Sequence, residues 1–172
     1  YRRLIMLSSL SKRSNVPGMR SGFVAGDAQI IRQFLLYRTY HGTAMSETIQ
    51  AASVAAWDDE KHVEENRAKY IAKFREAVPL LQQALNVSMP DASFYLWAEV
   101  FERTGLSDTE FARKLYEKFN VTVLPGSYLA REANGINPGK NRIRLALVAE
   151  PAECLEGILR IVEFVKTQRR EL

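Results

Sequence analysis

Apolar and polar positions along the 172 residues change period several times, and each change marks an element. Residues 4–7 form a short unbroken apolar run, the pattern of a strand covered on both faces. It leads directly into the polar stretch SLSKRSNVPGMRSG, residues 9–22, in which Gly18 and Gly22 bracket a turn. Residues 22–25 predict a second short strand. The spacing of Ile30, Ile31, Phe34, Leu35 and Tyr37 predicts a helix over 28–40, and Ser46 is placed to open another that runs towards Trp57.

Over residues 59–85 the apolar positions Val63, Tyr70, Ile71, Phe74, Val78, Leu81 and Leu85 recur at helical intervals, which predicts one long amphipathic helix. Pro79 removes a backbone donor and crowds the carbonyl four residues back, so a bend without a full break is expected there. Beyond Pro90 the period shortens, predicting strands at 94–100, 121–124 and 142–148. Ser107-Asp108-Thr109-Glu110 reads as a capping box opening a helix to Phe119, and an amphipathic helix over 151–168 follows the last strand. Strands mixed with helices make the class α/β. Two short strands before the helices would leave backbone groups and apolar faces of residues 4–7 without partners, so further chain upstream is expected.

An apolar fraction of 47% suffices for a true core. No apolar run approaches the roughly 20 residues of a membrane span, and the first residues are too short for a secretory signal, so no membrane partner and a cytoplasmic location are expected. The single cysteine, Cys154, fits a reducing compartment. The net charge of +4 is spread without a long block of one sign, so nucleic acid is not implied, and a modest basic excess suits anionic small molecules. Two distant histidines and one cysteine give no zinc spacing and no metal is expected. Neither G-x-G-x-x-G nor G-x-x-x-x-G-K is present.

The chemistry concentrates around Lys12. A lysine forms an imine with an aldehyde only as the neutral amine, and here it stands among Ser9, Ser11, turn amides and Arg20, all able to donate to a phosphate. Pyridoxal 5′-phosphate meets that pattern. With Ser-Leu-Ser-Lys followed eight positions later by Arg20, the stretch resembles the cofactor loop of the fold type I aminotransferases. YRTYHGTAMSETIQAASVAAWDDE, NVTVLPGSYLAREANG and NPGKNRIRLALVAE are similar, more narrowly, to the N-succinyldiaminopimelate aminotransferases.

The resemblance implies a C-terminal part of such a fold. Residues 1–60 would be the remnant of a large parallel-sheet, cofactor-binding domain, and 61–172 the connecting helix with an α+β small domain. It implies pyridoxal 5′-phosphate as cofactor, amino-acid and keto-acid substrates, and a homodimer in the full-length protein. The reaction implied moves an amino group between glutamate and N-succinyl-2-amino-6-oxopimelate, in lysine synthesis, and these residues alone are expected to be inactive. Aspartate or aromatic aminotransferases, β-lyases, and the aminotransferase-like effector domain of a transcriptional regulator remain open beside it.

By the same resemblance Lys12 is the catalytic amine, with Ser9 and Arg20 on the phosphate and Ser11 shaping the loop. Strand alternation puts Arg142 and Arg144 on one face, and period alone does not choose between them. The family's carboxylate-binding arginine precedes a short apolar strand before the last helix, which Arg144-Leu145-Ala146-Leu147 matches. The turn-rich stretch from Pro125 to Gly139 is long enough to carry function; in the enzymes it resembles this part closes over the substrate, which implies Tyr128 as a wall of the side-chain pocket and Arg131 or Lys140 facing a distal carboxylate. Core packing accounts for most clusters like Tyr37, Tyr40 and His41, and the resemblance implies that this stretch lies at the dimer interface, with His41 and Thr43 as candidates there. Trp57, Trp97 and Phe94 are assigned to packing, and His62 and Cys154 receive no role.

Overall fold

The computed structural model describes residues 1–42 and 44–171, with side chains to Arg169; Thr43 lies outside the described residues. The chain divides into two compact units, Tyr1–Arg67 and Ala68–Leu172.

In the first unit, β1 (Ile5–Ser9) pairs antiparallel with β2 (Gly22–Gly26), Ser9 lying opposite Gly22. The expected strand is there, but its cover is not: Met6 and Leu7 are 52% and 73% exposed, and the partner is a hairpin neighbour. An unbroken apolar run does not distinguish a parallel from an antiparallel partner. Between the strands come α1 (Leu10–Arg13) and a single 3-10 turn at Pro17–Met19. Lys12 therefore stands on a short helix and not in an open loop. Then follow α2 (Ala28–Tyr40), capped by the Asp27 carboxylate on the amides of Gln29 and Ile30, and α3 (Glu47–Asp58), capped by Ser46. The apolar stripe of α2 is exposed along its length, including Leu35, Leu36, Tyr37 and Tyr40.

The helix α4 (Lys61–Gln82) begins in the first unit and continues unbroken through Pro79. In the second unit, β3 (Asn86–Val87), β4 (Tyr95–Glu99), β5 (Leu124–Pro125) and β6 (Arg142–Ala146) make an antiparallel sheet in the order β3-β4-β6-β5. Alternation sends Leu96, Ala98, Ile143 and Leu145 into a core shared with Phe74, Val78 and Leu81 of α4. Phe111 and Leu115 of α6 (Asp108–Phe119) and Ile158, Ile161 and Phe164 of α8 (Pro151–Glu171) complete it. Phe164 meets Phe111 and Phe119 edge to face at 5.0 and 5.7 Å, a favourable geometry for the ring quadrupoles. The predicted capping box forms as read: Ser107 accepts from the Glu110 amide, and the Glu110 carboxylate accepts from the Ser107 amide. Two four-residue helices, α5 (Phe101–Thr104) and α7 (Gly126–Leu129), and the two-residue β3 were not expected from the sequence pattern.

Candidate functional site

Leu10, fully buried, anchors the short lysine helix, and its amide donates to the Ser21 carbonyl at 3.1 Å. Ser9 caps that helix: its oxygen accepts from the Ser11 amide at 3.1 Å, and its hydroxyl has the Ser11 hydroxyl at 3.0 Å and the Ser21 carbonyl at 3.1 Å as alternative acceptors. Ser21 is itself pinned by a buried 2.7 Å hydroxyl contact to Ser53 of α3. Lys12 is exposed one turn away from this cap. Arg20 closes the 3-10 turn in the left-handed region, φ 51°, and donates from Nη1 to the Pro17 carbonyl at 3.0 Å. Ser9, Ser11, Lys12 and Arg20 thus belong to one hairpin connection whose two ends the strand register holds side by side.

Two anchors fix the far side of α1, and sequence reasoning missed both. The Arg13 side chain, only 15% exposed, donates to the carbonyls of Ala56 (2.7 Å) and Trp57 (3.3 Å), pairs with Glu60 and lies over the Trp57 ring at 4.7 Å. Its cationic fork thereby satisfies the last carbonyls of α3. His62 contacts the Asp59 carboxylate through Nδ1 and the Ser14 hydroxyl through Nε2, each at 2.9 Å. A carboxylate only accepts, so Nδ1 carries a proton towards Asp59, while Nε2 shares a hydrogen bond with the Ser14 hydroxyl. The His62 ring, aided by the Lys61 amide, holds the Asp59 carboxyl below its ordinary value against a smaller opposing effect of burial. The Ser14 amide is spent on the Leu10 carbonyl. This serine-histidine-aspartate chain is therefore a brace between α1 and the start of α4.

In the second unit the outer face of the sheet carries the arginines. Arg144 stands opposite Trp97 on β4 and Leu124 on β5, with its guanidinium 4.3 Å above the Tyr95 ring. Its Nε is buried and meets no acceptor among the described residues. A buried guanidinium nitrogen without an acceptor is a costly arrangement that a bound carboxylate would relieve. Arg142 stands opposite Glu99, whose carboxylate is taken up by the amides of Phe101 and Glu102.

Between β5 and β6 the chain makes a long hairpin loop, ordered in three tiers. At its neck Gly126 and Gly139 touch backbone to backbone; a Cβ on either would lie within 2.3 Å of the other's carbonyl oxygen. The Asn137 side chain then donates to the Ser127 carbonyl and accepts from the Gly139 amide. At the tip, Asn134 and Gly135 both take positive φ, and Ala133 and Ile136 exchange two 3.0 Å hydrogen bonds, a tight reverse turn of the kind Asn-Gly favours. Tyr128, at 77%, is exposed on this loop, as are Arg131 and Lys140. Asp108, 3% exposed at the first turn of α6, accepts from the Ser127 amide (2.9 Å), the Ser127 hydroxyl (2.6 Å) and the Asn141 amide (3.2 Å). Burial alone would push its carboxyl up, but these donors outweigh burial and hold it below the ordinary value. His41 stacks on Tyr37 at 4.4 Å, Trp57 packs on Phe23, and the Cys154 thiol, pushed up by burial, sits on the Ala149 carbonyl.

Comparison with known proteins gives a consistent result. The family model for aminotransferase class I and II matches residues 1–161. A probable aminotransferase of Mycobacterium tuberculosis is 33% identical over 147 residues, 85% of this chain and 32% of that protein. A crystal structure of an aminotransferase from Neisseria meningitidis superposes with a TM-score of 0.87 at 54% identity, over 94% of this chain and 40% of that one. A probable N-succinyldiaminopimelate aminotransferase from Thermus thermophilus gives 0.77 at 29% identity, over 94% and 42%. The chain thus spans less than half the length of these proteins.

Proposed function

Because the chain belongs to the class I and II aminotransferases, a pyridoxal-phosphate-dependent family, we propose that it supplies the cofactor-lysine loop and carboxylate-binding strand of an aminotransferase. The observation that carries this reading is the hairpin connection bearing Ser9, Lys12 and Arg20 together, within the span that matches the family. Its donors, two hydroxyls, a guanidinium and an amine, fit a phosphorylated aldehyde, and no carboxylate intrudes among the residues from Ser9 to Gly22.

When bound, the cofactor supplies the aldehyde that accepts the amino group and the electron sink that makes the substrate's α-hydrogen removable. Ser9 and Arg20 would hold its phosphate. Lys12 would anchor it and afterwards carry a proton to and from the substrate α-carbon through Nζ, a task for which a short, capped helix fixes the amine's base. Arg144 would grip the substrate's α-carboxylate with its fork, stiffened by Tyr95 beneath it, and Tyr128 would line the side-chain pocket. Similarity to the Thermus protein supports a succinylated diaminopimelate-type substrate; glutamate and N-succinyl-2-amino-6-oxopimelate as the exchanging pair, and a homodimer as the working form, follow from the resemblance of the sequence motifs.

The test uses the full-length protein. Lys12→Ala should abolish transamination of glutamate, and Arg144→Ala should raise KM for dicarboxylates far more than Arg142→Ala does. A panel of keto acids that includes the succinylated substrate, oxaloacetate and phenylpyruvate should favour the first. Preference for oxaloacetate or phenylpyruvate would refute the substrate assignment, and turnover surviving Lys12→Ala would refute the site.

A further inference from the structure

We infer that Asp108 is a positioning residue, one that sets substrate affinity and selectivity by locking the neck of the β5–β6 loop and with it both Tyr128 and the strand of Arg144. The inference rests on the functional reading above for what those two residues do.

Three observations carry it. First, Asp108 is a buried carboxylate and both of its oxygens are used. Oδ2 takes two donors from Ser127, the residue immediately before Tyr128, and Oδ1 takes the Asn141 amide at the entry to β6. One side chain on a helix thus fastens both ends of a loop whose leading strand, β5, contributes only Leu124 and Pro125 to the ladder.

Second, the region is built to be held and not to yield. Gly126 and Gly139 are in backbone contact, with Trp97 pressed against the same spot, and the Asn137 side chain bridges Ser127 and Gly139. A long hairpin loop is ordinarily mobile. Here the order is supplied at the neck and the exposed side chains, Tyr128 among them, stand beyond it.

Third, the α6 N-terminus is already capped without Asp108. Ser107 and Glu110 satisfy its first amides reciprocally, so the buried acid next to them is free to serve the loop. A carboxylate that only stabilised the helix end would need neither burial nor donors 19 and 33 residues away.

The experiment compares Asp108→Asn with wild type in the full-length holoenzyme. Hydrogen exchange of residues 127–141 should speed up by about tenfold or more while exchange in the α8 core stays unchanged. KM for the preferred keto acid should rise about tenfold with kcat within about twofold, and preference over smaller keto acids should shrink, because a loosened wall costs affinity before it costs chemistry. If the variant does not fold, Ser127→Ala removes one donor, leaves the carboxylate on two amides, and reads the same quantities. Unchanged loop exchange overturns the inference. Faster exchange with unaltered KM and selectivity also overturns it, provided Tyr128→Ala or Arg144→Ala raises KM. If neither of those variants raises KM either, the fault lies in the functional reading.

Discussion

Adding one methyl group at Gly126 should unfasten the four-stranded unit, while the same substitution at Gly157 should tighten it. A Cβ at Gly126 would lie 2.3 Å from the Gly139 carbonyl oxygen, 2.8 Å from that of Arg142 and 2.8 Å from the Trp97 ring. Two of those three atoms are backbone and have no rotamer to change. Restoring ordinary contact means parting the neck by about 1 Å, which strains the Pro125–Ile143 pairing and the seat of Ser127 on Asp108. Overpacking of this kind costs about 1–3 kcal/mol, and weakening a hydrogen bond to a charged group adds to it, with such bonds worth about 1.5–3 kcal/mol; a loss of about 3 kcal/mol is expected. At Gly157, inside α8, a Cβ meets nothing within 4 Å, so alanine should stabilise by about 0.5–1 kcal/mol through helix propensity. Urea-dependent hydrogen exchange of peptides covering 124–146 measures both in the intact protein. A Gly126→Ala variant opening within about 0.5 kcal/mol of wild type, a difference typical of a surface change, would refute the packing argument, as would equal losses at the two glycines.

Other consequences are as direct. Arg13→Lys keeps the charge but loses the planar fork that reaches two α3 carbonyls and stacks on Trp57. It should destabilise the first unit by about 1–2 kcal/mol and change the Trp57 emission, measured by denaturant unfolding; equal stability of the lysine variant would contradict that role. The carboxyls of Asp27, Asp59, Asp108 and Glu110 are all held below their ordinary values. Their stabilising effect is therefore complete above about pH 5 and is lost as pH falls through the lowered values. Acid titration of Asp108→Asn should show a shallower loss of stability than wild type, and an identical slope would remove Asp108 from that balance.

The sequence was most legible where a cap and a period coincide. Ser46 and Ser107 each announce a helix by offering an oxygen to the amide three residues on, and the two helices start directly after them; the Asp27 cap of the helix over 28–40 went unread beside its apolar spacing. Illegible were the pieces whose hydrogen bonds come from afar. The helix carrying Lys12 has four residues, too few for a period, and exists because Ser9 caps it and Leu10 is buried. Asp108 looked like one more polar residue of a capping box; its partners lie 19 and 33 positions away, where no local pattern points. The bracing roles of His62 and Arg13 were unreadable for the same reason: the Ser14 hydroxyl that His62 reaches and the Ala56 carbonyl that Arg13 reaches lie more than 40 residues off in sequence. The Asn134-Gly135 turn, by contrast, carries its own signature, a dipeptide suited to two successive positive φ angles.

The uncovered stripe of α2 and the bare outer side of the first hairpin have a practical corollary. A surface that presents Leu7, Leu35, Leu36, Tyr37 and Tyr40 to water behaves as sticky colloid, clustering faster on warming and salting out early. Handled at high concentration, residues 1–172 should form particles seeded from this end, and replacing Leu35 and Leu36 with glutamate should keep them dispersed.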